Sequence, residues 1–166
     1  MTTLKPPTLP FPVQSDRLIL RPFVEDDAVH VAKRMHEYHD GILPESFLLQ
    51  EARNYLNYLR TQHAPNHLTI AMFADDALVG EIDAKQHADD RRAWNIGYRV
   101  MPKHQGNRFA AEGVEALKDV FKTSVNATRF SANVANWNAE SLAVMNRTGF
   151  SVTYTDKDVT YFECRL

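Results

Sequence analysis

Residues 100–110 read Val100-Met-Pro-Lys-His-Gln-Gly-Asn-Arg-Phe-Ala110, and the predicted fold is organised around this stretch. The residues before it, 94–100, have the composition of a strand, and the residues after it begin a helix. The helix is indicated by an apolar stripe at Ala110, Val114, Leu117 and Phe121. The first turn of a helix has free N–H groups and a partial positive charge, so this strand-loop-helix unit could bind an anion. The alternative is an ordinary connection whose basic residues, Lys103, His104 and Arg108, are solvated.

Outside this stretch, the sequence predicts six further strands and three further helices. Strand patterns cover residues 17–23, 68–73, 78–85, 129–134, 150–155 and 159–165, and helical patterns cover about 25–36, about 48–64 and 138–148. Short acidic turns at 75–76 and 88–91 predict that the three middle strands form an antiparallel meander. The expected fold is α/β, with a mixed, mostly antiparallel sheet and helices on its faces. Residues 1–14 are expected to be an extended, proline-rich lead-in to a single domain over 15–166.

The composition argues against several classes of protein. The net charge is −2, and no cluster of basic residues exceeds the pair Arg91-Arg92, so neither a nucleic acid nor an anionic membrane is an expected partner. The single cysteine, Cys164, allows no internal disulfide and no cysteine-based metal site. No apolar run is long enough for a signal peptide or a membrane span. We therefore expect a cytoplasmic protein.

Glycine spacing excludes the two commonest phosphate-binding loops. The chain has six glycines, and the closest two, Gly106 and Gly113, lie seven positions apart. A P-loop or a Rossmann fingerprint needs its glycines closer together. A phosphorylated cofactor would therefore need another kind of loop.

The histidines do not predict a metal site. His36 and His39 are three positions apart, and His63 and His67 flank a proline, but no further ligand is spaced to complete a known site. No metal is expected.

Several segments resemble the GNAT superfamily of acyl-CoA-dependent N-acetyltransferases. Gln105-Gly-Asn-Arg-Phe-Ala110 resembles the Q/R-x-x-G-x-G/A pyrophosphate loop of that family. Further similarity is to the branch that acetylates the N-termini of ribosomal proteins (RimJ/RimL-like), and it covers about residues 15–150. It is found in Arg17-Leu-Ile-Leu-Arg-Pro-Phe23, Glu25-Asp-Asp-Ala28, Asn95-Ile-Gly-Tyr98, Ala110-Ala-Glu-Gly113, Asn138-x-x-Ser141 and Gly149-Phe150.

The resemblance implies an activity and a cofactor site. It implies a GNAT fold and the transfer of an acetyl group from acetyl-CoA to a primary amine, either a protein N-terminus or a small molecule, by direct attack. The protein would be a monomer or a homodimer. The central strand would splay from its neighbour, and backbone groups near Val100 and Met101 would hold the pantetheine arm. The remaining cofactor contacts would come from Gln105, Gly106, Asn107, Arg108, Phe109, Ala110, Asn138 and Ser141.

Arg108 departs from the family pattern, which usually has glycine at this position. Glycine lets the backbone approach the pyrophosphate without a Cβ in the way. Arg108 could tolerate the entry into the helix and place its guanidinium on a phosphate, or it could obstruct the site. We favour the first outcome because the other motifs are intact.

The catalytic groups are less well defined by the sequence. By resemblance, Ser141 would donate a proton to the leaving thiolate, with Tyr98 as the second choice; Asn138 either caps its helix or contacts the pantetheine. Many relatives carry Glu where this chain has Asn95, which cannot accept a proton. Glu81 and Asp83 share one face of the preceding strand and are candidate bases, although each could be a surface carboxylate. His104 is a further candidate that no positional argument supports.

Two other functions fit the same residues. Arg108 and Asn95 depart from the family pattern, which would suit a non-catalytic module that binds or senses CoA. An α/β domain that binds some other anionic ligand is the second alternative.

Overall fold

The computed structural model describes residues 9–38, 41–62 and 66–166. The strands are β1 (Val13–Gln14), β2 (Ile19–Pro22), β3 (His67–Ala74), β4 (Ala77–Gln86), β5 (Ala93–Val100), β6 (Arg129–Ala135), β7 (Ser151–Thr155) and β8 (Val159–Arg165). The helices are α1 (Ala28–Tyr38), α2 (Glu45–Gln62), α3 (Phe109–Val125) and α4 (Ala139–Arg147), and short 3-10 segments cover Glu25–Asp27 and Pro102–His104.

The strands form one sheet in the order β1-β2-β3-β4-β5-β6-β8-β7. Every neighbouring pair is antiparallel except β5 and β6, which are parallel. The predicted meander is confirmed as β3-β4-β5. Its first turn has Asp75 and Asp76 at φ values of 47° and 62°, the pair of left-handed residues that a tight two-residue hairpin requires.

Apolar side chains form a core on each face of the sheet. The larger core joins α3 and α4 to the sheet, and Trp94, Phe121 and Phe130 pack edge to face within it. The smaller core joins α1 and α2 to β3 and the start of β4. α3 lies close to the sheet at Gly113, where an added Cβ would be only 2.8 Å from Met72 Sδ. These two layers place the start of α3 on one face and the C-terminal half of α1 on the other.

The chain before β2 contributes more than the expected lead-in. Val13–Gln14 form an edge strand on β2, and Val13 is buried in the larger core. A two-residue strand after several prolines has too little pattern to be predicted. Residues 1–8 lie outside the described part.

The remaining boundaries differ from the predicted ones by a few residues. The first helix begins as a 3-10 segment, because Asp27 turns back to accept hydrogen bonds from Arg21 and from the N–H of Val24. Gly149, just after α4, has a φ of 75°, the left-handed conformation common at that position. Pro65, the residue after the predicted second helix, lies outside the described residues. Within those residues, none of the helices combines the length and the apolar character that crossing a bilayer requires.

Candidate functional site

β5 has an unpaired edge in the middle of the sheet. It pairs with β4 as far as Val100, but with β6 only over Ala93, Trp94 and Asn95. Hydrogen bonds from Met101 N–H to Val79 O and from His87 N–H to Ala93 O, both 2.9 Å, fix the alternation of the β4–β5 ladder. In an antiparallel ladder this alternation directs the N–H and C=O groups of Tyr98 and Val100 away from β4, into the gap beside β6. The expected splay is therefore present.

The loop after β5 ends in a row of free N–H groups. The backbone N–H groups of residues 106–111 have no hydrogen-bond acceptor among the described residues. Gly106 and Arg108 have left-handed φ values of 79° and 62°, which turn the chain sharply before α3 begins at Phe109. Free N–H groups at the start of a 17-residue helix provide donors and a positive dipole end for an anion.

Arg108, the residue that departs from the motif the loop resembles, adopts a backbone conformation that favours glycine. Its backbone is left-handed, with φ 62° and ψ 23°, so it precedes the helix rather than forming its first turn. Its side chain is exposed and has no hydrogen bond or ion pair with any described residue. The loop therefore has a left-handed backbone at a residue other than glycine, and the guanidinium is available to a ligand.

The loop and the start of α4 line one cavity of about 800 Å³. The predicted cofactor residues that line it are Val100, Gln105, Gly106, Arg108, Phe109, Ala110, Asn138 and Ser141. Met101 and Asn107 do not line it. Met101 is buried with its N–H bonded to Val79, and Asn107 bonds within the loop and accepts a hydrogen bond from Arg17.

Tyr98 and the first turn of α4 meet in this cavity. Asn138 Oδ1 accepts a hydrogen bond from Ser141 N–H at 3.1 Å, which caps the helix, while its amide nitrogen has no partner in the described chain. The Tyr98 hydroxyl donates to Ser141 O at 3.2 Å. Burial raises the pKa of Tyr98, and its hydrogen bond to Ser141 only partly opposes that shift. Both candidate proton donors therefore lie in one place.

A second cavity, of about 460 Å³, lies on the opposite face of the sheet and is lined by Glu81 and Asp83. Arg34 of α1 forms a buried ion pair with Glu81 at 2.6 Å, and the Tyr55 hydroxyl lies 3.3 and 3.4 Å from the two Glu81 oxygens. Burial alone would lower the pKa of Arg34, but the Glu81 carboxylate holds it above its ordinary value. Burial, with the Glu81 charge adding to it, raises the pKa of Tyr55. Glu81 is therefore held in a buried network with Arg34 and Tyr55.

Asp83 has a different environment from Glu81, although the two share a face as expected. Its side chain is exposed to the cavity, and its Oδ1 accepts a hydrogen bond from Thr69 Oγ1 at 2.7 Å. No basic side chain of the described residues forms an ion pair with Asp83. Asp83 is therefore the more accessible of the two carboxylates.

Two residues line both cavities, Tyr38 and Arg99. Successive side chains of a strand point to opposite faces, so Tyr98 and Arg99 project toward different sides of β5. The two cavities therefore adjoin near Arg99, at the end of β5.

Sequence reasoning missed Arg34, Tyr55 and Arg99. Arg34 lies three positions after Val31 and is buried like it, so a charged residue on the apolar side of a predicted helix was the available signal. Tyr55 lies within the predicted second helix, but its hydroxyl contact with Glu81 depends on tertiary structure. Nothing in the sequence pattern singled out Arg99 as a site residue.

The remaining polar candidates, Asn95 and His104, do not line the cavity that contains Asp83. Asn95 donates a hydrogen bond to Ser131 Oγ and lines neither cavity, and His104 lines the first cavity with its ring 6.5 Å from that of Phe109. Within residues 9–38, 41–62 and 66–166, no three metal-ligating side chains cluster. His39 and His63 lie outside these ranges.

Comparisons with known proteins agree with this geometry. Residues 17–151 match the family model described as an acetyltransferase (GNAT) domain. A Bacillus licheniformis protein named uncharacterized N-acetyltransferase p20 is 28% identical over 95 residues, which are 57% of this chain and 53% of the relative. The match thus spans about half the length of that curated relative.

Solved acetyltransferases share the fold. Mycobacterium smegmatis RimJ in complex with CoA-disulfide is 20% identical, with a TM-score of 0.75 over 89% of this chain and 81% of that one. The RimL ribosomal L7/L12 alpha-N-protein acetyltransferase in complex with coenzyme A is 18% identical, with a TM-score of 0.74 over 92% and 94%. The microcin C7 self-immunity acetyltransferase MccE, in complex with acetyl-CoA and AMP, is 13% identical, with a TM-score of 0.78 over 95% and 98%. Because the family model covers most of the chain, the chain belongs to the GNAT acetyltransferase family.

Proposed function

We propose that this protein transfers an acetyl group from acetyl-CoA to a primary amine by direct attack in a complex of both substrates. One observation carries the proposal. The free N–H groups of residues 106–111, the unpaired edge of β5 and Ser141 all line or border one cavity, and that cavity adjoins a second one containing Asp83. A donor site and an acceptor site thus meet at the end of β5.

The residues of the first cavity fit a CoA thioester. Free N–H groups at the start of α3 suit a pyrophosphate, and the exposed guanidinium of Arg108 adds a positive charge at the same place. The outward-facing N–H and C=O groups of Tyr98 and the N–H of Val100 offer an extended arm the hydrogen bonds of an added strand, whereas the Val100 carbonyl already accepts a hydrogen bond from Gln105 Nε2 at 3.1 Å. The Asn138 amide nitrogen is a further free donor. Acetyl-CoA supplies the acetyl group as an activated thioester.

The backbone at the end of β5 is placed to stabilise charge on the acetyl carbonyl oxygen. A free N–H that points into a cavity stabilises a developing oxyanion, since it is fixed before the reaction begins. The N–H of Val100 points into the gap, whereas the N–H of Met101 is bonded to Val79. We therefore assign this role to Val100 and not to Met101.

Ser141 and Asp83 complete the proton transfers. The amine nitrogen bonds to the acetyl carbon as the carbon–sulfur bond breaks, the amine loses a proton, and the departing thiolate gains one. Ser141 lies at the cofactor cavity and is the proposed proton donor, with Tyr98 beside it as the alternative. Asp83 is the proposed proton acceptor, directly or through water, because Glu81 is held in its pair with Arg34. Glu81 is then a positioning residue.

The test is an assay of free CoA release from acetyl-CoA in the presence of peptide N-termini, polyamines, aminoglycosides and amino acids. We expect release with at least one class. With that acceptor, Ser141→Ala should lower kcat about 100-fold, because a positioned acid contributes that much, with little change in the KM of acetyl-CoA. Ser151→Ala is the matched control, since Ser151 is an exposed serine of β7 that lines neither cavity.

Other outcomes would contradict parts of the proposal. A melting temperature raised by acetyl-CoA, without CoA release for any amine, would favour the non-catalytic binding module. An unchanged melting temperature would exclude acetyl-CoA as a ligand. A loss of kcat in Tyr98→Phe but not in Ser141→Ala would transfer the donor role to Tyr98.

A further inference from the structure

We infer that the acceptor of this enzyme carries a carboxylate a few bonds from its amine, and that Arg99 binds this carboxylate. The inference rests on the proposed acetyl transfer and names the class of amine. It follows from the charges, the floor and the walls of the 460 Å³ cavity.

The charged side chains of this cavity leave one cation and one anion without an ionic partner. Arg34 and Glu81 neutralise each other in a pair that is more than nine-tenths buried. Among the described residues, only the Thr69 hydroxyl forms a hydrogen bond with the Asp83 carboxylate, and the Arg99 guanidinium forms no hydrogen bond or ion pair. A ligand that satisfies both must present a positive and a negative group.

The sheet register places these two groups side by side. Asp83 is paired with Gly97, and Glu81 is paired with Arg99, so Asp83 and Arg99 are diagonal neighbours on one face of β4 and β5. Diagonal neighbours in an antiparallel pair are separated by about 7–8 Å. Side chains at that spacing can hold the ammonium and the carboxylate of one small molecule or of one short peptide end.

Gly97, which is opposite Asp83 and two residues before Arg99, leaves open space beside both side chains. A Cβ added at Gly97 would meet no atom within 4 Å, and its φ is outside the left-handed region. Neither packing nor backbone conformation therefore requires glycine here, and glycine inside a strand is unfavourable by about 0.5–1 kcal/mol. Such a glycine often marks a place where a ligand lies close to the backbone.

The side chains that line the cavity indicate the chemical character of the rest of the acceptor. Aromatic and aliphatic side chains of α1 and α2 line it, namely Met35, Tyr38, Tyr55, Tyr58 and Leu59. An apolar side chain on the acceptor would contact this wall while its charged groups face the sheet. Apolar amino acids fit this description, as do short peptides with an apolar first residue and a nearby carboxylate.

The test compares acceptors that differ only in the carboxylate. L-phenylalanine and L-leucine are paired with their carboxamides, and a peptide with Asp in second position is paired with its Asn counterpart. The kcat/KM ratio of each pair is measured for the wild type and for Arg99→Gln. Comparing the two ratios cancels the different intrinsic reactivity of the two amines.

We expect Arg99→Gln to lower the carboxylate-to-amide ratio about tenfold, mainly through the KM of the acceptor, because a charged hydrogen-bond pair is lost. The amino-acid pairs and the peptide pair distinguish the two sources of the carboxylate. Lys85→Gln is the matched control, since Lys85 is an exposed cation on the face of the sheet that carries Asp83 and Arg99 but lines neither cavity. In Lys85→Gln the carboxylate-to-amide ratio should stay at the wild-type value.

Two results would overturn the inference while leaving acetyl transfer intact. One is an unchanged ratio in Arg99→Gln. The other is a KM increase for acetyl-CoA alone, which would assign Arg99 to the cofactor cavity that it also lines.

A binding measurement separates the inference from the proposed function. Titration of the same pairs into the protein with bound CoA should show tighter binding of the carboxylate member and loss of that difference in Arg99→Gln. This result without CoA release would support the anion site and contradict catalysis. Equal binding of both members would overturn the inference.

Discussion

The cavity proposed for the cofactor and the cavity proposed for the acceptor are built in different ways. The first is formed mainly by two continuous segments, residues 98–110 and 138–147, and its distinctive donors are backbone N–H groups. The second is formed by side chains from α1, α2, β3, β4 and β5. The donors of the first site therefore come from one short stretch of backbone, whereas the second site exists only when five elements pack together.

This difference predicts how the two regions tolerate substitution. Backbone donors persist when side chains are replaced, and Arg108 has a left-handed backbone although it is not glycine. In the acceptor cavity each substitution alters charge or shape directly. We expect the two regions to respond to mutation accordingly.

The largest expected effect is on the acceptor side. Glu81→Gln should lower the free energy of unfolding by about 3 kcal/mol, because the buried Arg34 guanidinium loses its partner. Urea unfolding followed by circular dichroism measures this change. Asp83→Asn, at the exposed carboxylate on the same strand face, should change the free energy of unfolding by less than about 1 kcal/mol.

A double variant checks the cause of that loss. Arg34→Met combined with Glu81→Leu removes both charges and should recover most of the lost stability. Equal losses in Glu81→Gln and Asp83→Asn would show that the buried pair is not what distinguishes this cavity.

A smaller effect is expected on the cofactor side. Arg108→Gly should weaken acetyl-CoA binding about tenfold, since the guanidinium is lost, while Arg108→Lys should weaken it less. The free energy of unfolding should change by no more than about 1 kcal/mol, because glycine relieves the left-handed strain but makes the unfolded chain more flexible. Isothermal titration and urea unfolding measure the two quantities. Unaltered affinity in Arg108→Gly would mean that the guanidinium points away from the phosphates.

The smallest effect is a pH dependence at the start of α1, the helix that carries Arg34. Burial alone would raise the pKa of Asp27, but the Arg21 guanidinium and the Val24 N–H hold it below its ordinary value. The folded state therefore favours the ionised carboxylate, and its contribution is present above the ordinary pKa of about 3.9 and is lost as the pH falls below it.

The unfolding midpoint in urea, measured from pH 7 to pH 3, tests this contribution. Near neutral pH, the free energy of unfolding of the wild type should exceed that of Asp27→Asn by about 1 kcal/mol. This difference should shrink below about pH 4. Asp26→Asn, at the exposed neighbour, is the control and should follow the wild type. A difference that stays constant with pH would contradict the assignment to the Asp27 carboxylate.

Much of the fold was predictable because its signals are local. The meander of β3, β4 and β5 follows from alternating apolar residues and acidic turns, and α3 follows from the stripe at Ala110, Val114, Leu117 and Phe121. The end of α4 follows from Gly149. Strand β1 was not predicted, since it has two residues and is stabilised by pairing with β2.

In the candidate site, too, the features that were predictable are those that depend on neighbouring residues in the sequence. The candidate cofactor residues of the loop after β5 were identified from their resemblance to the family's pyrophosphate loop, which can be recognised because a strand end, a turn and a helix start are consecutive in the chain. Glu81 and Asp83 were recognised as neighbours on one face, but their different environments could not be inferred. Those environments depend on Arg34, which is 47 positions from Glu81 in sequence, and on Thr69, which is 14 positions from Asp83.

The sequence by itself determined the order of strands and helices, the family resemblance and the loop that begins α3, since hydrophobic periodicity and turn chemistry act over a few residues. Only the tertiary structure decided that β5 leaves β6 after Asn95, that Glu81 is neutralised by Arg34, and that Asp83 and Arg99 share an open cavity. These features depend on contacts between distant segments. Such contacts form only when both cores pack against the sheet.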